Sequence, residues 1–204
     1  MVKRLSALVL LLFATSTAFS QTTRPAVSGT VKTEPGKQMP GMIVYLEPAD
    51  PNVQFPAPTE AAVMSQQGAK FSPSLLIISV GQRVDFLNDE NRPIEHNVFS
   101  QSPAKQFDLG LWRPPTRKSV TFEKPGLVRL FCSIHRYMDG IIYVCPTPFF
   151  TTVGNDGSFT ISAAPPGDYI LKTWQRTPKY SEQSQPITIS EGKTTVVHLQ
   201  MSRK

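Results

Sequence analysis

The stretch Leu130-Phe131-Cys132-Ser133-Ile134-His135-Arg136-Tyr137-Met138 sets a thiol, an imidazole and a thioether at three-residue intervals. Leu127–Cys132 reads as a strand, so Cys132 stands at a strand end and His135 and Met138 share one tight loop with it. Donors spaced in this way can face one ion, provided that a further ligand arrives from another strand. His96, which opens His96-Asn97-Val98-Phe99-Ser100, is placed to supply it. One thiolate, two imidazoles and one thioether are the ligand set of a blue copper electron-transfer site, in which the long axial Met tunes the potential. Zinc fits less well, because a thioether is a poor zinc donor.

Outward from this loop, helical periodicity is nearly absent. The 19 prolines and 12 glycines, set between short alternating apolar runs, predict an all-β chain. Strands are expected at Val27–Val31, Met42–Leu46, Leu75–Ser79, Arg83–Leu87, Ser119–Phe122, Leu127–Cys132 and Ile141–Cys145. Further strands are expected at Ser158–Ile161, Asp168–Thr173, Gln185–Ile189 and Thr194–Gln200. Asp139-Gly140, Asn155-Asp156-Gly157, Pro165-Pro166-Gly167 and Glu191-Gly192 mark turns between them. Strands at this spacing favour sandwiches. The proline-rich stretch Ala49–Thr59 reads as a linker or exposed loop.

The N-terminus carries Lys3 and Arg4, an apolar run from Leu5 to Phe13, and small and polar residues to Ser20. Residues 1–20 therefore read as a secretory signal peptide, with a run too short to span a bilayer, which takes about 20 residues. The mature chain is expected to be soluble and exported, to the periplasm or beyond. The formal charge is +6 with the leader, and loses Lys3 and Arg4 on cleavage. That mild, scattered excess argues against a nucleic-acid partner.

Residues 62–146 resemble the plastocyanin-like and amicyanin-like cupredoxins. The residues that carry this are Phe71-Ser72-Pro73, Val80-Gly81 with Val84-Asp85-Phe86-Leu87-Asn88, His96-Asn97-Val98, Phe122, Pro125-Gly126 and the Cys132 to Met138 loop. The two-residue spacer Arg136-Tyr137 is most like the amicyanin loop. The resemblance implies a Greek-key β-sandwich with one copper ion, Cu(I) or Cu(II), at one end. It implies that His135 is the more exposed ligand and the electron's port. It also implies that Asn97 ties the two ligand loops together, and that Phe99 and Phe131 help keep water from the metal.

The flanks resemble a carboxypeptidase regulatory-like, transthyretin-like β-sandwich. Val27-Ser28-Gly29-Thr30-Val31, Pro40-Gly41 and Ile43-Val44-Tyr45-Leu46 match its first strands, and Thr151-Thr152, Asn155-Asp156-Gly157-Ser158-Phe159 and Pro166-Gly167-Asp168-Tyr169 its later ones. One arrangement is a single small sandwich, residues 21–61 and 147–204, split by an inserted cupredoxin. The plainer one is N-terminal strands that join the cupredoxin, followed by a separate C-terminal domain.

Cys145 is the one possible disulfide partner of Cys132, but each ends its own strand, and if those strands are antiparallel neighbours the two sulfurs sit near opposite ends of the sheet. His198, in an alternating strand, reads as a surface residue. In Phe107-Asp108-Leu109-Gly110-Leu111-Trp112-Arg113, apolar side chains sit in loop-like sequence. Leu109, Leu111, Trp112 and Arg113 are either a docking patch beside the copper port, with Arg117 and Lys118 on its rim, or a loop folded onto the second module.

The leading expectation is a one-electron carrier serving a redox partner protein. Multicopper oxidases and copper nitrite reductases hold additional copper with many more histidines, and this chain has three, with no His-x-His pair. A dinuclear electron-transfer site needs a second cysteine in the ligand loop, where residue 136 is Arg. No enzymatic activity is expected. The alternative function is copper handling or assembly, with the flanking β-module as the dock.

Overall fold

The computed structural model describes residues 26–33, 37, 39–176 and 179–204, and all its regular elements are strands. The predicted leader lies outside the described residues. No described helix is long and apolar enough to cross a membrane. In chain order, β1 (Ala26–Thr33) and β2 (Ile43–Pro48) come first. They are followed by β3 (Ala62–Gln66), β4 (Phe71–Ser72), β5 (Leu75–Ser79), β6 (Arg83–Asn88), β7 (Phe99–Ser102), β8 (Lys105–Asp108), β9 (Arg117–Thr121), β10 (Gly126–Phe131) and β11 (Asp139–Cys145). The chain closes with β12 (Phe150–Thr152), β13 (Ser158–Ser162), β14 (Gly167–Trp174), β15 (Ser184–Ile189) and β16 (Thr194–Met201).

These strands form four sheets, in the orders β13-β1-β16, β12-β2-β14-β15, β5-β11-β10-β7-β8 and β4-β3-β6-β9. The first two sheets draw their strands from both ends of the chain and enclose one apolar core, with Val27, Val44, Leu46, Phe159, Leu171 and Leu199 among its members. The other two use only the middle of the chain and enclose a second core around Met64, Phe86, Phe122, Leu130 and Ile142. Hence an inner sandwich interrupts an outer one. The interruption leaves from β2 and returns at β12, which pair antiparallel with Tyr45 opposite Phe150. The Thr147 hydroxyl donates to the Leu46 carbonyl at 2.7 Å, so the two junctions lie side by side. An insertion is tolerated where its ends meet in this way.

The two sandwiches share a seam. Ile43, Tyr45, Tyr143 and Cys145 are buried together, with Leu75, Ile77, Phe150 and Trp174 packed against them. Their strands β2 and β11 are therefore buried on both faces, which accounts for the unbroken apolar runs Ile43–Leu46 and Ile141–Cys145. Strands with one wet face alternate instead, as β13 does from Ser158 to Ser162.

Five strands escape the sequence pattern: β3, β4, β7, β8 and β12. The hairpin of β7 and β8, Phe99-Ser100-Gln101-Ser102 and Lys105-Gln106-Phe107-Asp108, ends its sheet and carries mostly polar side chains. An edge strand needs main-chain partners more than apolar ones, so its sequence signal is weak. Cys132, placed by sequence at the end of a strand, lies one residue past β10.

Candidate metal centre

The loop from Cys132 to Met138 joins β10 to β11, whose register sets Phe131 opposite Asp139. Inside it the Met138 amide donates to the His135 carbonyl at 2.9 Å and closes a turn. Burial follows the three-residue interval. Cys132 and Met138 are buried and His135 is half-buried, whereas Ser133, Ile134, Arg136 and Tyr137 face solvent. The loop thus turns its sulfur and nitrogen donors inward, and Met138 belongs to the inner core.

His96 arrives from the segment between β6 and β7. It forms a two-way backbone bridge with Trp112, N to O distances 3.1 and 2.9 Å. The Asn88 side-chain amide donates to the carbonyls of Trp112 and Ile94 at 2.9 and 3.0 Å and braces the same segment. His96 is fully buried. Its Nδ1 lies 3.1 Å from His135 Nδ1 and 4.0 Å from Cys132 Sγ, and His135 Nδ1 lies 3.7 Å from the same sulfur. These three donor atoms lie within 4.8 Å of one another, a spacing that can hold one metal ion. The chemistry of the set, soft sulfur with two imidazoles, suits copper.

The remaining nitrogen of His96 is occupied. Nε2 lies 2.8 Å from Glu90 Oε1, and both side chains are nearly inaccessible. The Ala69 amide donates to the same carboxylate oxygen at 3.1 Å. Burial pushes the Glu90 carboxyl upward, but the hydrogen bonds from His96 and Ala69 outweigh it and hold the carboxyl below its ordinary range. A carboxylate in this place fixes the ring orientation and leaves Nδ1 for the ion, as the outer partners of metal-bound histidines do. Sequence reading missed Glu90. An acid in a loop six residues before His96 carries no local mark of burial.

Asn97 bridges the two loops. Its side-chain oxygen accepts from the Ser133 amide at 2.7 Å and the Ser133 hydroxyl at 3.0 Å, and its Nδ2 donates to Asp108 at 3.1 Å. Phe99 and Phe131 pack together with ring centroids 5.7 Å apart. Cys132 and Cys145 are both free and buried, and burial pushes the Cys145 thiol up. His198 is exposed, with Nδ1 3.0 Å from the Thr30 hydroxyl.

The patch expected at Leu109–Arg113 needs correcting. Trp112 is a buried member of the inner core and cannot dock anything. Its Nε1 donates to the Thr116 carbonyl at 3.1 Å, because a buried indole must place its N–H on an acceptor. Nor does the loop fold onto the outer sandwich, since Leu109 also packs on the inner core. Leu111 and Arg113 are exposed, and Arg117 is drawn off by Asp85 at 3.1 Å.

No family model and no curated relative matches the chain. Among solved structures it is similar to a purple cupredoxin from Nitrosopumilus maritimus, at 26% identity over 41% of this chain and 98% of that one, with a TM-score of 0.37. It is also similar to amicyanin from Paracoccus versutus, at 18% identity over 49% and 97% of the two chains and a TM-score of 0.37. A copper-containing nitrite reductase from Thermus scotoductus matches at 30% identity and a TM-score of 0.40, over 48% of this chain but only 25% of its own length.

Proposed function

We propose that the chain is an exported one-electron carrier, not an enzyme, with one copper ion held by His96, Cys132 and His135 and weakly by Met138. The observation that carries this is the convergence of the two Nδ1 atoms and Cys132 Sγ within 4.8 Å. Bound copper would supply a one-electron couple between Cu(I) and Cu(II). The protein's part is to hold the donors in place in both states. Glu90 fixes the His96 ring, Asn97 keeps the two loops in register, and the core around Met138 excludes water. The half-buried His135 gives the electron its way in and out. Leu111, Arg113, Ile134 and Tyr137, exposed next to the ligand-bearing segments, are where a redox partner protein would settle. The leader expected at residues 1–20 supports a periplasmic or secreted carrier.

The outer strands are proposed to be a carboxypeptidase regulatory-like sandwich that docks the carrier. The alternative reading is delivery of copper to an assembly partner docked on that sandwich.

The test is to load the purified protein with Cu(II). The carrier should take up one equivalent, develop an intense visible band from thiolate-to-copper charge transfer, and bleach reversibly with a mild reductant. Colourless Cu(II) protein would falsify the carrier. Release of copper to an apo-acceptor faster than redox cycling would favour delivery. Met138→Leu should raise the potential while copper uptake persists, because the axial donor contributes little to affinity.

A further inference from the structure

We infer that Arg176, an outer-sandwich residue, is a positioning residue for the inner centre. It pins the segment that leaves the ligand loop directly after Met138. The inference rests on the metal reading above for its spectroscopic consequences, but the contact itself belongs to the protein alone.

Arg176 lies two residues past the end of β14 and reaches across the seam. Its Nη2 donates to Asp139 Oδ2 at 3.2 Å and its Nη1 to the Ser74 hydroxyl at 3.2 Å. Asp139 is the first residue of β11 and follows Met138. Ser74 immediately precedes β5, the parallel neighbour of β11, and its carbonyl accepts from the Ile141 amide at 3.1 Å. One planar guanidinium therefore spans the starts of both strands, a fork that an ammonium group does not reproduce.

A second contact locks the same segment. The Phe71 ring lies so close to Gly140 that a Cβ there would meet Phe71 Cδ2 at 2.9 Å and Cγ at 3.0 Å. The end of β14 is itself held in register, since Trp174 stacks on Tyr143 of β11 with centroids 4.3 Å apart. Met138 thus enters the core from a chain segment fixed by Phe71 and Arg176. The side chains of Arg176 and Asp139 are 40% and 54% exposed, and a pair so wet adds little to folding stability. Its effect is on geometry.

The experiment compares copper-loaded full-length protein with Arg176→Ala and Arg176→Lys, by reduction potential and Cu(II) spectra. Charge and geometry predict opposite signs. Losing a nearby cation stabilises Cu(II) and lowers the potential, whereas loosening Met138 weakens the axial donor and raises it. The expected result is a raised potential with an altered visible spectrum in both variants. A lowered potential in Arg176→Ala with Arg176→Lys equal to the parent would overturn the inference, as would two unchanged proteins. Hydrogen exchange on the metal-free protein provides an independent arm. Arg176→Ala should speed exchange of the Met138 and Ile141 amides several-fold, and unchanged exchange there overturns the clamp. Parent protein that binds no copper would overturn the metal reading instead and leave the clamp to the exchange measurement.

Discussion

The two sandwiches differ in what they do with buried polar groups. In the outer one these are Thr33, Thr173 and, at the junction, Thr147, whose hydroxyls bond nearby main chain, and Gln175, whose amide donates to the Tyr180 carbonyl. They close turns and junctions. In the inner one, His96, Asn97 and Asn88 are buried together at one end, with Glu90 against His96. Burying a polar group costs free energy unless it is paired, and a charge costs more. The inner sandwich accepts that cost for a carboxylate, two amides and an imidazole in one place. Local violations of good packing practice collect at functional sites. Among the described residues the outer sandwich buries no such cluster.

The sharpest way to break this contrast is at the thiol. Cys132→Ser should abolish the visible band entirely, whereas Cys145→Ser, at the seam, should leave it intact. Bleaching by the second variant would move the centre toward the seam.

Next in size is Gly29→Ala on β1. A Cβ there would lie 1.8 Å from the Val197 carbonyl oxygen of β16 and 2.8 Å from the Phe159 ring. Backbone cannot yield as a side chain would, so a loss of at least about 3 kcal/mol is expected. Denaturant unfolding, followed by tryptophan fluorescence and by the copper band, should show both midpoints falling together, because β2 and β11 each bury a face against the other sandwich. A copper band that keeps its parent midpoint would make the two sandwiches independent.

Glu90→Leu tests the buried dyad. Freed from its acceptor, His96 loses its fixed orientation, and copper affinity should fall about 10–100-fold by competition titration. An unchanged affinity would reduce Glu90 to a packing residue.

The smallest effect is expected at Cys145. Burial raises its pKa, so near pH 8, where a free thiol of pKa about 8.5 is partly ionised, native protein should resist alkylation there and denatured protein should react fully. The sign for stability follows. The native state keeps a proton that the unfolded state loses above about pH 8.5, so this contribution declines as pH rises from there. Mass spectrometry of labelled peptides reads both cysteines. Ready labelling of native Cys145 would mean that the seam opens.

Much of this was legible in the chain. The three-residue interval of Cys132, His135 and Met138 gave the side chains that one loop turns inward, because spacing along one tight turn is a local property. Alternation gave β13 and β16, where one face is wet. The same logic failed for the hairpin of β7 and β8, which ends its sheet and sets its two apolar residues, Phe99 and Phe107, among polar ones, and for Trp112. Its neighbours Gly110, Pro114 and Pro115 mark a loop, yet its indole fills the core beneath His96.

By itself, then, the sequence determined the donor set, its spacing, and the all-β character, since each depends on residues close along the chain. The tertiary structure alone decided which side chains lost their water. It brought Glu90 to His96, took Trp112 out of the surface, set Arg176 on Asp139, and laid β2 against β11. Those contacts join residues far apart in sequence, and burial, which sets their chemistry, is a property of the packed chain.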